Sequence, residues 1–288
     1  MVVYRTGAPL AESIRRVLAD QSADEFVLID NGSSPEEAAL IDAAAKQAPQ
    51  MTVLRGQRNV GFARAVNMGV SVARGDMIVV LNPDAFLEPG CIRALHRTLQ
   101  GRPVPTLVGA RIMNTDGTEQ RGARRGEVTP VTSLLSLTGL AKRFPGLHGF
   151  EVHHEDDPAP DRGLSVPTIS GACFAMRRND FVGMGGMDVG FFLHVEDVDL
   201  CWRVRQAGGE VLYEPRARVT HLGSTSQASP LKVEYWKGVG LARYFRKRAD
   251  NWRRKAIAVS LTPLIIAVSV LRPVLRGQIF KARGGLRF

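Results

Sequence analysis

Residues 75–87, GDMIVVLNPDAFL, decide the reading of the fold. Met77 to Leu81 is an unbroken apolar run, the pattern of a strand covered on both faces in a parallel sheet. Pro83 cannot continue it, so the chain turns at Asn82-Pro83-Asp84. Open α/β sheets bind ligands outside the carboxyl ends of their strands, and a carboxylate held there is a candidate ligand for a divalent cation. Asp84 is that carboxylate, and the cation would neutralise a diphosphate. The plain alternative is that Asn-Pro-Asp is only a good turn, because turn residues recur after most strands.

The preceding chain repeats the pattern. Phe26 to Ile29 reads as a strand ending in Asp30-Asn31-Gly32-Ser33-Ser34, after which an Ala-rich helix runs over 36–48. Ser34 is its N-cap and Pro35 its first helical position. A strand over 51–54 leads to Arg58-Asn59-Val60-Gly61-Phe62-Ala63, and Asn67 and Gly69 lie on a helix that ends before Gly75. Strand-helix-strand-helix-strand, with a polar cluster after each strand, gathers polar residues at one sheet edge, as a nucleotide site requires. Neither G-x-G-x-x-G nor G-x-x-x-x-G-K-[ST] occurs, which excludes a dinucleotide fingerprint and a P-loop.

At 288 residues and 44% apolar content the chain can bury a substantial core, and it carries no repeat. Cys91, Cys173 and Cys201 have no C-x-x-C spacing and read as reduced core or interface residues of a cytosolic protein, not as zinc ligands or a disulfide framework. No signal peptide precedes Tyr4.

The net charge of +10 is uneven. Residues 243–288 carry 12 Lys and Arg against one acid, Asp250, while residues 1–242 carry 26 against 27, so the excess is +11 in the tail and −1 elsewhere. Between Arg253-Arg254-Lys255 and Arg272 lies an apolar run of 16 residues, Ala256 to Leu271, broken by Pro263. A spanning helix needs about 20 apolar residues, so this run suits the interface of an anionic membrane surface better than its interior. Nucleic acid is set aside, because the tail lacks interleaved aromatics and a reading motif. The rival is an ordinary helix packed on the catalytic domain or on a second subunit, which leaves a homodimer open; dense cation flanks rank it second.

Six segments in fixed order carry a resemblance: DNGSS (30–34), RNVGFARAVNMG (58–69), VLNPDAFL (80–87), SGACFAMRR (170–178), GFFLHVEDVDLCWRVRQAG (190–208) and THLGSTS (220–226). Over roughly residues 2–248 the chain resembles the inverting nucleotide-sugar glycosyltransferases of family 2, in their bacterial rhamnosyltransferase-like branch. The resemblance implies an α/β fold of the GT-A type, a mixed, mostly parallel sheet flanked by helices. Residues 1–248 would form the catalytic domain, with a donor half over about 1–115 and an acceptor half over about 116–248, and residues 249–288 a basic, apolar helical tail. Two departures stand out. Asn82 replaces the first acid of the Asp-x-Asp motif common in the family, so the site has one charge fewer and a second protein ligand gains importance. Only Met1-Val2-Val3 precede Tyr4, so either the first strand is short or the start is misplaced.

Inverting transfer demands a base opposite the leaving nucleotide and stabilisation of the diphosphate's developing charge. Glu196-Asp197-Val198-Asp199 opens a helix that carries Leu200, Trp202 and Val204, with Asp199 and Arg203 at i,i+4. Helix capping explains one acid in the first turn better than three. Asp199 has a local partner, and the resemblance places the base on the second acid of the Glu-Asp pair. Asp197 is therefore assigned as base and Glu196 as acceptor contact or alternate base. His221 closes the segment Arg218-Val219-Thr220 before the Gly223-Ser224 turn; a lone His is more often structural, but the resemblance puts a histidine near this point on the metal. Asp84 and His221 then form the metal set for Mg2+ or Mn2+. The resemblance further assigns Asp30 and Asn31 to the nucleotide base or ribose, and Arg58 to the base or diphosphate. Asn59, Gly61 and Asn67 shape the loop, Asn82 lies beside the diphosphate, and Gly171 and Ala172 line the sugar pocket. Asp116-Gly117 reads as a hairpin turn, and residues 120–166, charged and with Pro158 and Pro160, as a mobile acceptor-side loop.

The reading is a metal-dependent inverting glycosyltransferase of cell-envelope polysaccharide synthesis, cytoplasmic and peripheral on the inner face of the cell membrane. It would move L-rhamnose from dTDP-rhamnose to a cell-envelope glycan or polyprenyl-diphosphate-linked acceptor. A UDP-hexose or UDP-galactofuranose donor is the alternative. A sugar-1-phosphate nucleotidyltransferase would need a Gly-rich basic loop after the first strand, which Tyr4-Arg5-Thr6-Gly7 is not, and an idle membrane-bound scaffold would not keep Asp84 and the Glu196-Asp197 pair.

Overall fold

A computed structural model describes residues 1–223, 225 and 229–275. The chain divides into two compact units, one of Met1–Gly126, His153–Gly190 and Glu196–Gln227, the other of Glu127–Val152, Phe191–Val195 and Ala228–Phe288. In chain order the elements are β1 (Val2–Val3), α1 (Pro9–Ala19), β2 (Phe26–Asp30), α2 (Pro35–Gln47), β3 (Met51–Leu54), α3 (Phe62–Val72), β4 (Met77–Leu81) and β5 (Ala85–Leu87). There follow α4 (Cys91–Leu99), β6 (Thr106–Met113), β7 (Arg124–Arg125), α5 (Pro130–Thr138), α6 (Leu140–Arg143) and a 3-10 turn, Pro145–Phe150. The remainder is β8 (Leu164–Ser165), β9 (Thr168–Ile169), β10 (Cys173–Arg177), α7 (Arg178–Gly183), α8 (Glu196–Gln206), β11 (Glu210–His221), α9 (Pro230–Arg248), α10 (Trp252–Ser260) and α11 (Thr262–Leu275).

The first unit is α/β with mixed sheets. β1, β2 and β3 pair in parallel, and a second sheet runs β4-β10-β6-β11-β5 with β8 on β11. The expected strands and helices of the first 87 residues are present, and α2 begins with the expected cap. Ser34 Oγ accepts from Glu37 N at 3.2 Å while the Glu37 carboxylate accepts from Ser34 N at 2.8 Å. The surroundings of β4 differ from the expectation of a parallel sheet. Its partner is β10, antiparallel, with Cys173 opposite Leu81 and Arg177 opposite Met77. An apolar run records burial but not the direction of the neighbour, and here the neighbour comes from almost 100 residues away. β10 in turn pairs antiparallel with β6, while β6 and β11 are parallel, broken by an irregularity between Glu214 and Arg218.

This register sets the site. The end of β4, the start of β10, the end of β11 and the start of β5 share one edge, because Cys173 lies opposite Leu81 and Ala85 opposite His221. The hairpin at Asp116-Gly117 forms as expected, with Asn114 N donating to Thr118 O at 2.9 Å and Gly117 at φ 83°. Residues 120–166 are not the loop expected of them: they contain β7, α5, α6, the 3-10 turn and β8. Thr129 caps α5 by accepting from Thr132 N, with Pro130 in the first helical position, and these local signals outweigh the charge and later prolines of the segment. The three cysteines are buried, as expected of core residues.

In the second unit α11 packs against α9 and α5. Gly238 makes the crossing close, for a Cβ there would stand 2.9 Å from Ile266 Cα and 3.2 Å from Ser269 Cβ. Leu241, Tyr244 and Phe245 of α9 and Ile265 of α11 are buried, whereas Trp252, Ile257, Val259, Leu264 and Leu271 are exposed.

The central strand β6 leaves no room at Gly109, where a Cβ would meet Ile169 Cβ at 2.6 Å and Cγ2 at 2.7 Å. Ile169 is β-branched, fully buried and unable to swing away. Gly109→Ala should therefore destabilise the fold by about 1–3 kcal/mol, the usual cost of overpacking, read as a lower urea midpoint at unchanged slope.

Candidate active site

At the shared edge, Asp84 and His221 face one another with His221 Nε2 3.1 Å from Asp84 Oδ1. Thr225 Oγ1 donates to Asp84 Oδ2 at 2.9 Å, and Asn82 Nδ2 lies 3.4 Å from His221 Nε2. Behind the imidazole, Gln120 Oε1 is 2.6 Å from Nδ1. Burial of Asp84 would by itself raise its pKa, but when the His221 ring is protonated its hydrogen bond and charge, with the Thr225 hydroxyl, outweigh burial and hold the carboxyl below its ordinary value. A carboxylate oxygen and an imidazole nitrogen 3.1 Å apart suit a divalent cation. Among the described residues no group of three or more His, Cys, Asp or Glu comes together. Such a pair holds Mg2+ or Mn2+ when substrate phosphates and water complete the shell, as is usual for these ions.

Two backbone bonds lead from this cluster to the acids of α8. Asn82 N donates to Ala172 O at 2.9 Å, and Gly171 N donates to Asp197 Oδ2 at 3.0 Å. Gly171 cannot be larger without displacing the acid, since its Cβ would sit 3.1 Å from Asp197 Cβ. Arg125 Nη2 donates to Asp197 Oδ2 at 2.5 Å and to Ile169 O at 2.7 Å, and Asp197 Oδ1 accepts from Val198 N at 2.8 Å. Burial pushes Asp197 up, but the Arg125 charge and hydrogen bond, aided by the two backbone N–H groups, keep its pKa below the ordinary value. Glu196 differs. It is 6% exposed and its Oε2 has no hydrogen-bond partner among the described residues. Burial first, and the neighbouring Asp197 charge second, push it up to about 8. Adjacent carboxylates thus take opposite protonation behaviour, the pattern by which acid and base roles separate. His194 and Val195, just before α8, have φ of 67° and 73°, strained for a β-branched residue such as Val195. Asp199 bonds Arg203 Nε at 2.8 Å as its spacing implied, and Arg203 also donates to Met184 O and Gly186 O. It therefore holds α8 in place.

The residues assigned to the nucleotide meet at the ends of β2 and β3. Asn31 Nδ2 donates to Asn59 Oδ1 at 3.0 Å, Val60 N donates to Asn31 Oδ1 at 3.1 Å, and Gly61 N donates to Asn59 Oδ1 at 3.0 Å. Arg58 has φ 58° and Gly61 φ 84°, the second of which glycine accepts freely. Asp30 Oδ1 takes the Gly32 and Ser33 N–H groups, leaving its turn rigid. Asn67 lies apart from them: its amide donates to Met187 O at 2.8 Å and accepts from Met187 N at 2.9 Å, so it fastens the turn at Gly185-Gly186. A cavity of about 970 Å3 lined by Met1, Val27, Ile78, Val80, Ile92 and Leu99 contains none of the assigned site residues. Arg125, Thr225 and Gln120 were not singled out in the sequence. Thr225 lies in the quoted THLGSTS segment, but Arg125 and Gln120 lie in a stretch with no periodic signal.

The chain is similar to known proteins in sequence and in fold. The family model for glycosyl transferase family 2 matches residues 1–183. An N-acetylglucosaminyl-diphospho-decaprenol L-rhamnosyltransferase of Mycobacterium tuberculosis is 27% identical over 234 residues, 76% of this chain and 74% of that protein. Among solved structures, a mannosyltransferase of Pyrobaculum calidifontis in complex with GDP-Man and Mn2+ superposes with TM-score 0.58 at 13% identity, covering 96% of this chain and 73% of that one. GalNAc-T7 with UDP, GalNAc and Mn2+ superposes with TM-score 0.58 at 17% identity, covering 90% of this chain but only 54% of that one.

The state of Glu196 has a thermodynamic consequence. Its pKa rises from 4.5 to about 8 on folding, so the native state binds this proton more tightly than the unfolded chain. The associated stability is fully present below about pH 4.5 and is lost as pH rises through about 8. Glu196→Gln removes this dependence. Urea midpoints should fall more between the two ends of that window for the parent than for the variant, and parallel falls would show the carboxyl to be ordinary.

Proposed function

Because the chain belongs to glycosyltransferase family 2 and is a glycosyltransferase of GT-A-like fold, we propose that it is a metal-dependent, inverting enzyme that moves L-rhamnose from dTDP-rhamnose to a polyprenyl-diphosphate-linked glycan of the cell envelope. The observation that carries the chemistry is the chain of bonds through Gly171-Ala172, which joins the Asp84–His221 pair to Asp197 across one sheet edge. The rhamnosyltransferase relative supports the sugar and the lipid-linked acceptor, and the Mn2+ of the solved structures supports the cation.

A divalent cation held by Asp84 and His221, with Asn82 and Thr225 beside them, would supply charge neutralisation for the donor's diphosphate. Asp30, Asn31, Arg58, Asn59 and Gly61 hold the nucleotide, with Gly61 allowing close approach of the backbone. Gly171 and Ala172 border the sugar. Asp197 takes the acceptor hydroxyl's proton: Arg125 and Gly171 N–H fix Oδ2, while among the described residues Oδ1 carries the Val198 N–H and keeps a lone pair for that proton. Glu196, whose pKa burial and the Asp197 charge push up, is the acceptor contact or, once ionised, the alternate base. Asn67 serves the site indirectly through the Met187 turn.

The helices after α9 support a location at the cytoplasmic membrane surface. Trp252–Leu271, 20 residues at mean hydropathy 1.7, is long and apolar enough to cross a bilayer by length and composition alone. Yet α11 packs against α9, which carries Lys232, Glu234, Lys237, Arg243, Arg246, Lys247 and Arg248, and charges of that density do not enter hydrocarbon. The segment therefore lies in the interface, with Ile257, Val259, Leu264 and Leu271 toward acyl chains and Arg253, Arg254 and Lys255 among anionic headgroups.

Purified protein incubated with dTDP-rhamnose, UDP-hexoses and UDP-galactofuranose should release nucleoside diphosphate from dTDP-rhamnose foremost, and excess chelator should abolish release. Asp84→Ala should lose activity with the chelated parent as its limit, and Asp197→Asn about 10²-fold or more in turnover with donor binding kept, the usual size of a general-base contribution. If Glu196→Gln is the crippling change and Asp197→Asn is not, the two acids exchange roles.

Neutralising the headgroup cluster tests the membrane reading separately. Arg253, Arg254 and Lys255 changed together to Gln should reduce pelleting with anionic vesicles, as should salt, because the Debye length falls from about 10 Å at 0.1 M to about 3 Å at 1 M. Equal pelleting of parent and variant at low salt would leave α10 and α11 as packing helices.

A further inference from the structure

We propose that Gln120 is a positioning residue that turns the lone pair of His221 Nε2 toward the cation site, making that histidine a ligand and not merely a hydrogen-bond donor to Asp84. The inference rests on the reading of His221 as a cation ligand given above, and it comes from the orientation of one amide.

Gln120 follows the hairpin closed by Asn114 and Thr118, and its own N–H donates to Ile112 O at 2.8 Å, which anchors its backbone to β6. Its side-chain Nε2 donates to His221 O at 3.0 Å and lies 3.3 Å from Asn114 Oδ1. The first partner is a carbonyl oxygen, which can only accept. The second is also an acceptor, because the other end of the Asn114 amide, Nδ2, is already donated to Thr118 Oγ1 at 2.9 Å. The NH2 end of Gln120 is thereby assigned, and its oxygen must be the atom 2.6 Å from His221 Nδ1. A carbonyl oxygen cannot donate, so Nδ1 carries the hydrogen.

In a neutral imidazole with Nδ1–H, Nε2 has a bare lone pair. That lone pair faces Asp84 Oδ1 at 3.1 Å, with Asn82 Nδ2 3.4 Å away. Two acceptors facing each other are satisfied by a cation between them. Remove the Gln120 carbonyl and the ring is free to adopt the opposite tautomer, in which Nε2–H donates to Asp84 and occupies the lone pair a cation would use. Ligating histidines generally owe their tautomer to such a partner on the far nitrogen, and loss of that partner typically costs about 10–100-fold in metal affinity. Here the partner is an amide whose own orientation is set by the His221 carbonyl, so ring and partner lock each other.

The full-length protein is titrated with Mn2+ alone, followed by loss of the free-ion paramagnetic signal, for the parent, Gln120→Met, Gln120→Glu and His221→Ala. The His221 tautomer is read without metal from long-range 1H–15N couplings, and thermal melts confirm that each variant folds. Gln120→Met, close to isosteric but without hydrogen bonds, should bind Mn2+ about 10–100-fold more weakly and shift His221 toward Nε2–H. Gln120→Glu, which keeps an acceptor at Nδ1, should hold both tautomer and affinity near those of the parent. If His221→Ala loses Mn2+ while Gln120→Met binds as the parent does, the positioning role is overturned and the metal reading stands. If Gln120→Glu is as weak as Gln120→Met, the amide acts by packing and the proposal falls. Should His221→Ala bind as tightly as the parent, His221 is no ligand and both readings fall together.

Discussion

The site depends on one hydrogen bond in the sheet, from Asn82 N–H to the carbonyl of Ala172. It continues the antiparallel ladder of β4 and β10 past the point where Pro83 ends β4, and it stops the Asn82-Pro83-Asp84 turn and the Gly171-Ala172 step at the same height. Gly171 then reaches Asp197 with its own N–H. A parallel neighbour at β4 would have placed the end of its own strand there and led on into a connection. An antiparallel one places its beginning, with the Ser170-Gly171 approach available to meet α8. The insertion of β10 between β4 and β6 thus converts motifs about 90 and 115 residues apart into one edge.

Electrostatics then distinguish two acids that neighbour each other in sequence. Asp197 and Glu196 both lose hydration on burial, but Asp197 accepts hydrogen bonds from Arg125 and from two backbone N–H groups. Glu196 Oε2 has none among the described residues, and burial pushes its pKa up. Two adjacent buried carboxylates would repel if both ionised, and a single guanidinium decides which one does. Around Asp84 the contacts are also hydrogen-bonded: Thr225 donates to it, His221 Nε2 lies 3.1 Å away, and Gln120 holds the far side of that ring.

The second unit obeys a steric constraint. Gly238 lets α11 approach α9 closely, and this fixes which face of the apolar helix is consumed by packing and which is left for another environment. The tail that reads as one apolar run in sequence is therefore amphipathic by context: Ile265 is spent on the protein, whereas Trp252, at 74% exposure, is not.

The amino-acid sequence by itself determined the local elements and the identity of the chemistry. Periodicity, the Ser34 cap, the Asn-Pro-Asp turn and the Asp116-Gly117 hairpin are short-range signals, and the structure contains each of them. The six quoted segments named the family, and the family model agrees. Only the tertiary structure decided the partner of β4, the helices within residues 120–166, the place of Asn67 on the Met187 turn, and the roles of Arg125, Thr225 and Gln120 around the acids and His221. The physical reason is common to all of these. Burial and backbone propensity are written in each residue and its neighbours, whereas strand direction, protonation and tautomer depend on which distant group arrives within about 3 Å, a distance over which hydrogen bonds act and sequence spacing carries no information.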